Sequence, residues 1–365
     1  MRFAVCLLVA ATVWITSLHR WFERDPAEVA SALAARQLAL WERRDPALAD
    51  SLAHLRRTNP EWDLMARMFA VLAFANLALR DPALRPRYLA AIDDIVDRTI
   101  ADVAQHGVHY FLLPYSRRQP FIDGRSVFVD GEIALMLAAR NLVEPRHDPR
   151  GWIDRVVGAI ERGPVLLAES YPDEVWLFCN SVALAAVRLH DASEGAPDRH
   201  AALFARWIAS ARTLVDPTTG LLPAKTSYRG EVLEGPEGST LWLVAAMLRV
   251  VDDELARDQY ARARAELRGG FAGFGWAREW PASWPGTDDV DSGPTVPIIG
   301  ANAGSSGLAL VGARAFGDDV FVRELVASLG FAGFPIDGRY AAGNQLADAV
   351  ILYALASGPL WERAR

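Results

Sequence analysis

Lysine is almost missing from this chain: Lys225 stands alone, and the 38 basic residues are outnumbered by 45 acidic ones. The net charge of -7 leaves no basic stripe to displace counterions, which excludes a nucleic-acid binder. Cysteine is scarce as well. Only Cys6 and Cys179 occur, so a disulfide framework and a thiolate zinc site are both excluded. Strand signals are few, with no alternating β-branched run longer than a few positions. P-loop, zincin, G-x-S-x-G and dinucleotide fingerprints are missing, and the Gly-rich Arg268–Gly275 stretch lacks the strand such a fingerprint needs. No cofactor and no metal is expected. The spacing of the one aspartate cluster does not match a calcium loop.

What is present is apolar. Hydrophobic residues make up 52% of 365, enough for a sizeable core and too many for general disorder. Met1–Leu18 is one early arginine followed by an almost unbroken apolar run from Phe3 to Ile15. Its length lies between a signal-peptide core and a spanning helix, and no small-x-small cleavage site follows. Residues 1–22 therefore read as an uncleaved signal anchor or membrane-associated helix, with cleavage as the alternative. The charges flanking it are ambiguous, and the extracytoplasmic side is favoured.

From Pro26 onward helical segments alternate in character. Glu61–Leu79, Glu132–Asn141, Glu174–His190, Ser239–Val251, Gly304–Phe316 and Asn344–Ala356 are apolar all round, as buried helices are. Between them lie amphipathic segments such as Pro86–Val103, Trp152–Arg162 and Asp319–Leu329. A buried helix followed by an amphipathic one, repeating roughly every 40 to 65 residues, is a repeat architecture. Six inner helices sheathed by six outer ones give an all-α, (α/α)6 toroid over residues 23–365, with Pro26–Arg43 as the sixth outer helix. An open solenoid is the alternative.

Loop lengths then place the site. The long links run from outer to inner helices: 104–131, 163–173, 215–238 and 268–303. All must emerge beside the inner helix N-termini, and long loops on one face of a rigid scaffold carry function. The fourth is the most unusual, with Asp288, Asp289 and Asp291 crowded beside Trp276, Trp280 and Trp284. Like charges so close should raise at least one pKa and supply a proton donor. Asp291 and Asp289 are accordingly the expected centre of the chemistry, with Glu132 and Asp123 as carboxylate partners. Cys179, His109 and Tyr115 complete the candidate catalytic set. Trp176, Trp280, Trp284, Tyr171, Asn180 and Asn302 are the candidate substrate wall, as suits a small-molecule cleft. Plainer readings stand beside these: Glu132 could complement a helix dipole, and His109 could be a solvated loop residue.

The chain resembles the linalool dehydratase-isomerase-like family. The resemblance rests on the toroid pattern and on Phe178-Cys179-Asn180-Ser181 opening an inner helix that ends Leu189-His190-Asp191-Ala192. It implies proton transfer by cysteine, histidine, tyrosine and aspartate side chains in an apolar cavity, in hydration, dehydration and allylic rearrangement. Cys179 would correspond to one family cysteine. The partner cysteine shortly upstream is missing, since Glu169–Phe178 contains none, which shifts acid-base work to carboxylates. The expected function is a membrane-anchored lyase or isomerase acting on a small apolar, terpenoid-like alcohol, and a homo-oligomer is left open. The alternative is a carbohydrate-active toroid with paired carboxylates and tryptophan platforms. A scaffold without chemistry and a terpene cyclase are weaker readings.

Overall fold

The computed structural model describes residues 2–42, 46–283 and 292–365. Among these, fifteen α-helices form. They are α1 Arg2–Ser17, α2 Pro26–Trp41, α3 Pro46–Thr58, α4 Pro60–Arg80, α5 Arg85–His106, α6 Val127–Val143, α7 Arg150–Arg162 and α8 Leu177–Ser193. Then follow α9 Ala201–Ala211, α10 Gly238–Leu248, α11 Asp253–Leu267, α12 Ala303–Phe316, α13 Asp319–Ala332, α14 Gln345–Ala356 and α15 Pro359–Arg363.

Six of the described helices make a closed ring. α4 packs on α6, α6 on α8, α8 on α10, α10 on α12, α12 on α14, and α14 returns to α4. That last contact excludes the open solenoid. The chain is an all-α toroid, and α2 lies against α14 as the outer helix the sequence could supply from its start.

The inner helices form where caps and composition agree. Asn59 accepts from the backbone N–H of Glu61 at 2.9 Å, Pro60 occupies the first turn, and α4 buries most of its length. By length and composition α4 could cross a membrane, but 72% of its apolar window is buried inside the ring, so it is a core helix. α6 buries every residue except Leu142. It approaches α8 so closely that a Cβ on Gly131 would stand 3.1 Å from that of Ala183. Helix α1 is different. It is wholly exposed, and together with the turn that follows, Arg2–Trp21, it is long and apolar enough to cross a membrane.

Several boundaries depart from expectation. α6 begins at Val127, capped by Ser126, rather than at Glu132, so Glu132 sits in the second turn. α8 begins at Leu177 because Val175–Trp176 is spent as a strand. The strands, also among the described residues, are β1 Val175–Trp176, β2 Lys225–Thr226, β3 Val232–Glu234, β4 Arg268–Phe271, β5 Phe274–Arg278, β6 Thr295–Val296, β7 Ala301–Asn302, β8 Pro335–Ile336 and β9 Arg339–Tyr340. All are antiparallel, in sheets ordered β1-β2-β3, β4-β5-β7-β6 and β8-β9; the first joins two outer-to-inner links, and the other two each lie within one link. The Gly-rich 268–275 stretch is thus one of the longer hairpins, turning through Ala272 and Gly273 at positive φ.

Candidate active site

The site lies at the end of the ring where α4, α6 and α8 begin. The second link is lashed to the first by backbone-directed bonds. Glu169 accepts from the N–H groups of Asp123 and Asp173, both at 2.8 Å, and Ser126 donates to the carbonyl of Ser170 at 2.6 Å. The third link is stitched on through the β1–β2 pairing of Val175 with Thr226 and Trp176 with Lys225.

This framework brings together a group of buried ionisable side chains. Glu132 is fully buried, and neither carboxylate oxygen has a hydrogen-bond partner among the described residues. Burial pushes its carboxyl well above the ordinary range, and the charge of Glu61 pushes it further. Cys179, in the first turn of α8, is 6% exposed. Its thiol is also pushed up, by burial first and by Glu132 and Glu61 as well, while a bond to the Ser170 hydroxyl opposes the rise. Glu61 sits in the first turn of α4, where the helix dipole favours negative charge, and accepts a bond from the Tyr171 hydroxyl. That hydroxyl in turn accepts from Leu113 N–H at 2.8 Å.

A thiol at a helix N-terminus should be acidified, yet Cys179 is shifted the other way. Desolvation and two neighbouring carboxyls outweigh the partial positive charge of the helix end.

Other candidates fall into place around this group. Tyr115 stacks on Tyr171 at 4.7 Å and donates to Glu174 at 3.1 Å, so it supports the wall. Asp123 gives its carboxylate to Arg162 at 2.6 and 2.8 Å on the rim. His109 pairs with Ser116 at 3.0 Å, and burial and Arg117 lower its pKa. Trp176 lies under the Lys225 ammonium at 4.8 Å. The Asn180 amide makes three backbone bonds, to Ala168 N–H, Ala168 C=O and Trp176 C=O, and so holds the link. Asn302 caps α12 by accepting from Ser305 N–H at 2.8 Å and holds the Gly293 carbonyl. Trp280 is half-buried on the fourth link. Asp288, Asp289, Asp291 and Trp284 lie outside the described residues. His190 and Asp191 stand at the far end of α8, where Asp191 binds the His200 ring at 2.9 Å.

Three functional candidates escaped the sequence reading. Glu61 is the first, although a buried helix opening at the mouth signals that its early carboxyls belong to the site. The second is Glu279, at the ring position facing α4 and α6. It accepts from the Ser239 hydroxyl at 2.5 Å, shares a hydrogen bond with buried Glu237, and is held above its ordinary range by burial. The third is Asp348 in α14, which burial lifts to about 6 from an ordinary 3.8.

Asp348 yields a pH prediction. A carboxyl whose folded pKa is raised favours the fold below the unfolded value and loses that advantage as pH rises through the folded one. The cost of ionising it should therefore appear between about pH 4 and pH 6, and persist above, at about 2–3 kcal/mol. Asp348→Asn keeps an acceptor for the Tyr340 N–H, 3.3 Å away. Its melting temperature should exceed the parent's by several degrees at pH 7.5, and the two curves should merge near pH 4. A pH-independent difference would show that packing, not charge, is responsible.

The comparison with known families decides the affiliation. The sequence profile described as linalool dehydratase/isomerase matches residues 144–331, just over half of the chain. The chain belongs to the linalool dehydratase/isomerase family. The matched span runs from the approach to α7 into the end of α13 and contains Cys179, whereas Glu61 and Glu132 lie upstream of it. No curated protein matches the chain.

Proposed function

We propose that this family member is a membrane-anchored lyase or isomerase that removes water from, or adds it to, a small apolar alcohol of terpenoid type. The observation that carries the reading is Glu132: a carboxyl held neutral at the mouth of the ring, with both oxygens unpartnered among the described residues. Such a group is a proton donor waiting for an acceptor. In dehydration, Glu132 gives its proton to the substrate hydroxyl, the C–O bond breaks, and water leaves. A proton from the adjacent carbon passes to the Glu61 carboxylate as the double bond forms. Return of that proton to Glu132 resets the site, and hydration runs the same steps backwards. The neutral Cys179 thiol, hydrogen-bonded to the Ser170 hydroxyl, lies beside this path as a second proton donor to the leaving oxygen. Asp289 and Asp291 remain proposed acid-base contributors.

Apolar surroundings suit this chemistry twice over. They keep Glu132 protonated, and they accept an alcohol whose body is hydrocarbon. Helix α1, exposed and apolar along its length, is the proposed anchor.

The test is turnover by the purified full-length protein on tertiary and primary allylic alcohols, with the products followed by gas chromatography. Formation of a diene and water, or of the rearranged alcohol, is the expected result. Inactivity on every alcohol together with cleavage of oligosaccharides would overturn the assignment in favour of glycan chemistry.

A further inference from the structure

The links from outer to inner helices leave the ring at one end, the end that carries Glu132 and Cys179. Helix α1 is delivered to that same end by a built joint. Phe22 packs edge-on against Phe331 at 5.0 Å and against Phe274 at 6.1 Å, and those two rings meet at 5.5 Å. Two glycines make room for it. A Cβ on Gly273 would stand 2.3 Å from the His19 ring, and one on Gly330 would stand 2.4 Å from the Phe22 carbonyl oxygen. Gly273 and Phe274 belong to the α11–α12 link, while Gly330 and Phe331 belong to the last turn of α13, so the joint lies on the mouth side.

Around the joint, large apolar side chains are left open. Trp21 is 76% exposed, Phe271 68% and Phe334 63%, with Phe331 and Ile336 each more than half exposed. They come from three separate segments: the exit of α1, the tip of the β4–β5 hairpin, and the last turn of α13 with the stretch that follows it. Soluble surfaces rarely gather so many exposed rings without a cover. The cover must also adjoin α1, whose sixteen residues are mostly apolar and none of them buried. Aromatics on loop tips beside an apolar helix are the pattern of a membrane interface, where rings lie at headgroup depth.

We propose that the mouth end of the ring rests on the bilayer through Trp21, Phe271, Phe331, Phe334 and Ile336, so that the site opens towards lipid and takes its alcohol from it. This rests on the reading of α1 as a membrane-inserted helix. It explains why the anchor joins the ring at the mouth: an apolar substrate concentrates in the bilayer, and a mouth facing lipid avoids carrying it through water.

The test uses the full-length chain in phosphatidylcholine vesicles and an environment-sensitive NBD label on single cysteines. Cys179 is buried, so the native Cys6 reports on α1. In a Cys6→Ser background, Phe271→Cys and Ile336→Cys report on the patch from two independent loops. Glu194→Cys, at the far end of α8, reports on the opposite end of the ring. Labels at 6, 271 and 336 should emit blue-shifted light, be quenched by nitroxide lipids and resist aqueous iodide. The label at 194 should show the reverse. Lipid contact at 6 with iodide access at both 271 and 336 would overturn the docking proposal and leave the anchor standing. Iodide access at 6 would overturn both. Labels at 271 and 336 that resist iodide yet escape lipid quenching would assign the patch to a second copy of the chain, which also overturns it. None of these readings depends on turnover, so they stand apart from the test of the chemistry.

Discussion

Glu132→Gln is expected to lower turnover by about 10²- to 10⁴-fold, the range that a positioned general acid contributes, while leaving the melting temperature at neutral pH nearly unchanged. The two halves of this expectation have one cause. Because burial and the Glu61 charge hold Glu132 in its neutral form, glutamine reproduces both its volume and its charge state at pH 7. What glutamine cannot do is release a proton. The stability comparison should diverge as pH rises. Then the parent must ionise a carboxyl that has no partner among the described residues, whereas the variant has nothing to ionise, so the variant should become the more stable protein as pH rises. The parent's rate should fall with the same rise in pH, because its active form is the protonated one. Initial rates and thermal melts between pH 6 and pH 10 check both arms. A variant that retains turnover would move the donor elsewhere. Asp289→Asn and Asp291→Asn, measured beside it, would then say whether the fourth link supplies the proton.

How far the sequence leads can be judged from the same residues. The ring was legible because its inner helices are apolar all round and its outer ones are not, a contrast that is local and additive along the chain. The mouth was legible because the long links all run in one direction, from outer to inner. What stayed hidden is non-local. Glu61 follows a proline at a helix start, where a carboxyl ordinarily complements the dipole. In the site it accepts a bond from Tyr171, which arrives from a link more than a hundred residues away. Asp123 reads as a carboxylate partner for Asp291 and Asp289, and the Arg162 that α7 brings to it was not legible in the sequence. The strands at the mouth are mostly two residues long, too short for alternation to register, and the partner of β1 lies about fifty residues further along the chain. Each inner helix could be read from a window of residues, but the joining of α14 to α4 could not. The shift of Glu132 from first turn to second had a subtler source: Val127, Phe128 and Val129 are β-favouring or neutral residues, and the Ser126 cap decided the start.

Cys179→Ser is expected to reduce turnover by about 10²-fold or more, in the manner of a lost acid-base group, with folding intact. The thiol is buried and pushed up in pKa by desolvation and by the two nearby carboxyls, so at neutral pH it is a thiol and not a thiolate. It should therefore resist maleimide up to alkaline pH while exposed Cys6 reacts, which a mass spectrum of the digested protein would show. A neutral thiol can steady a leaving oxygen by hydrogen bonding or can pass it a proton, and the substitution separates the two. Serine is nearly the same size and donates a stronger hydrogen bond, but it is a far poorer acid. If hydrogen bonding were the whole contribution, the serine variant would keep most of its rate and only Cys179→Ala would fail. If proton transfer is needed, both fail alike, with melting temperatures close to the parent. Loss in both variants on an allylic alcohol would join Cys179 to Glu132 as a second donor. Full activity of the serine variant would leave proton transfer to Glu132 alone and reduce Cys179 to shaping the pocket wall beside Ser170.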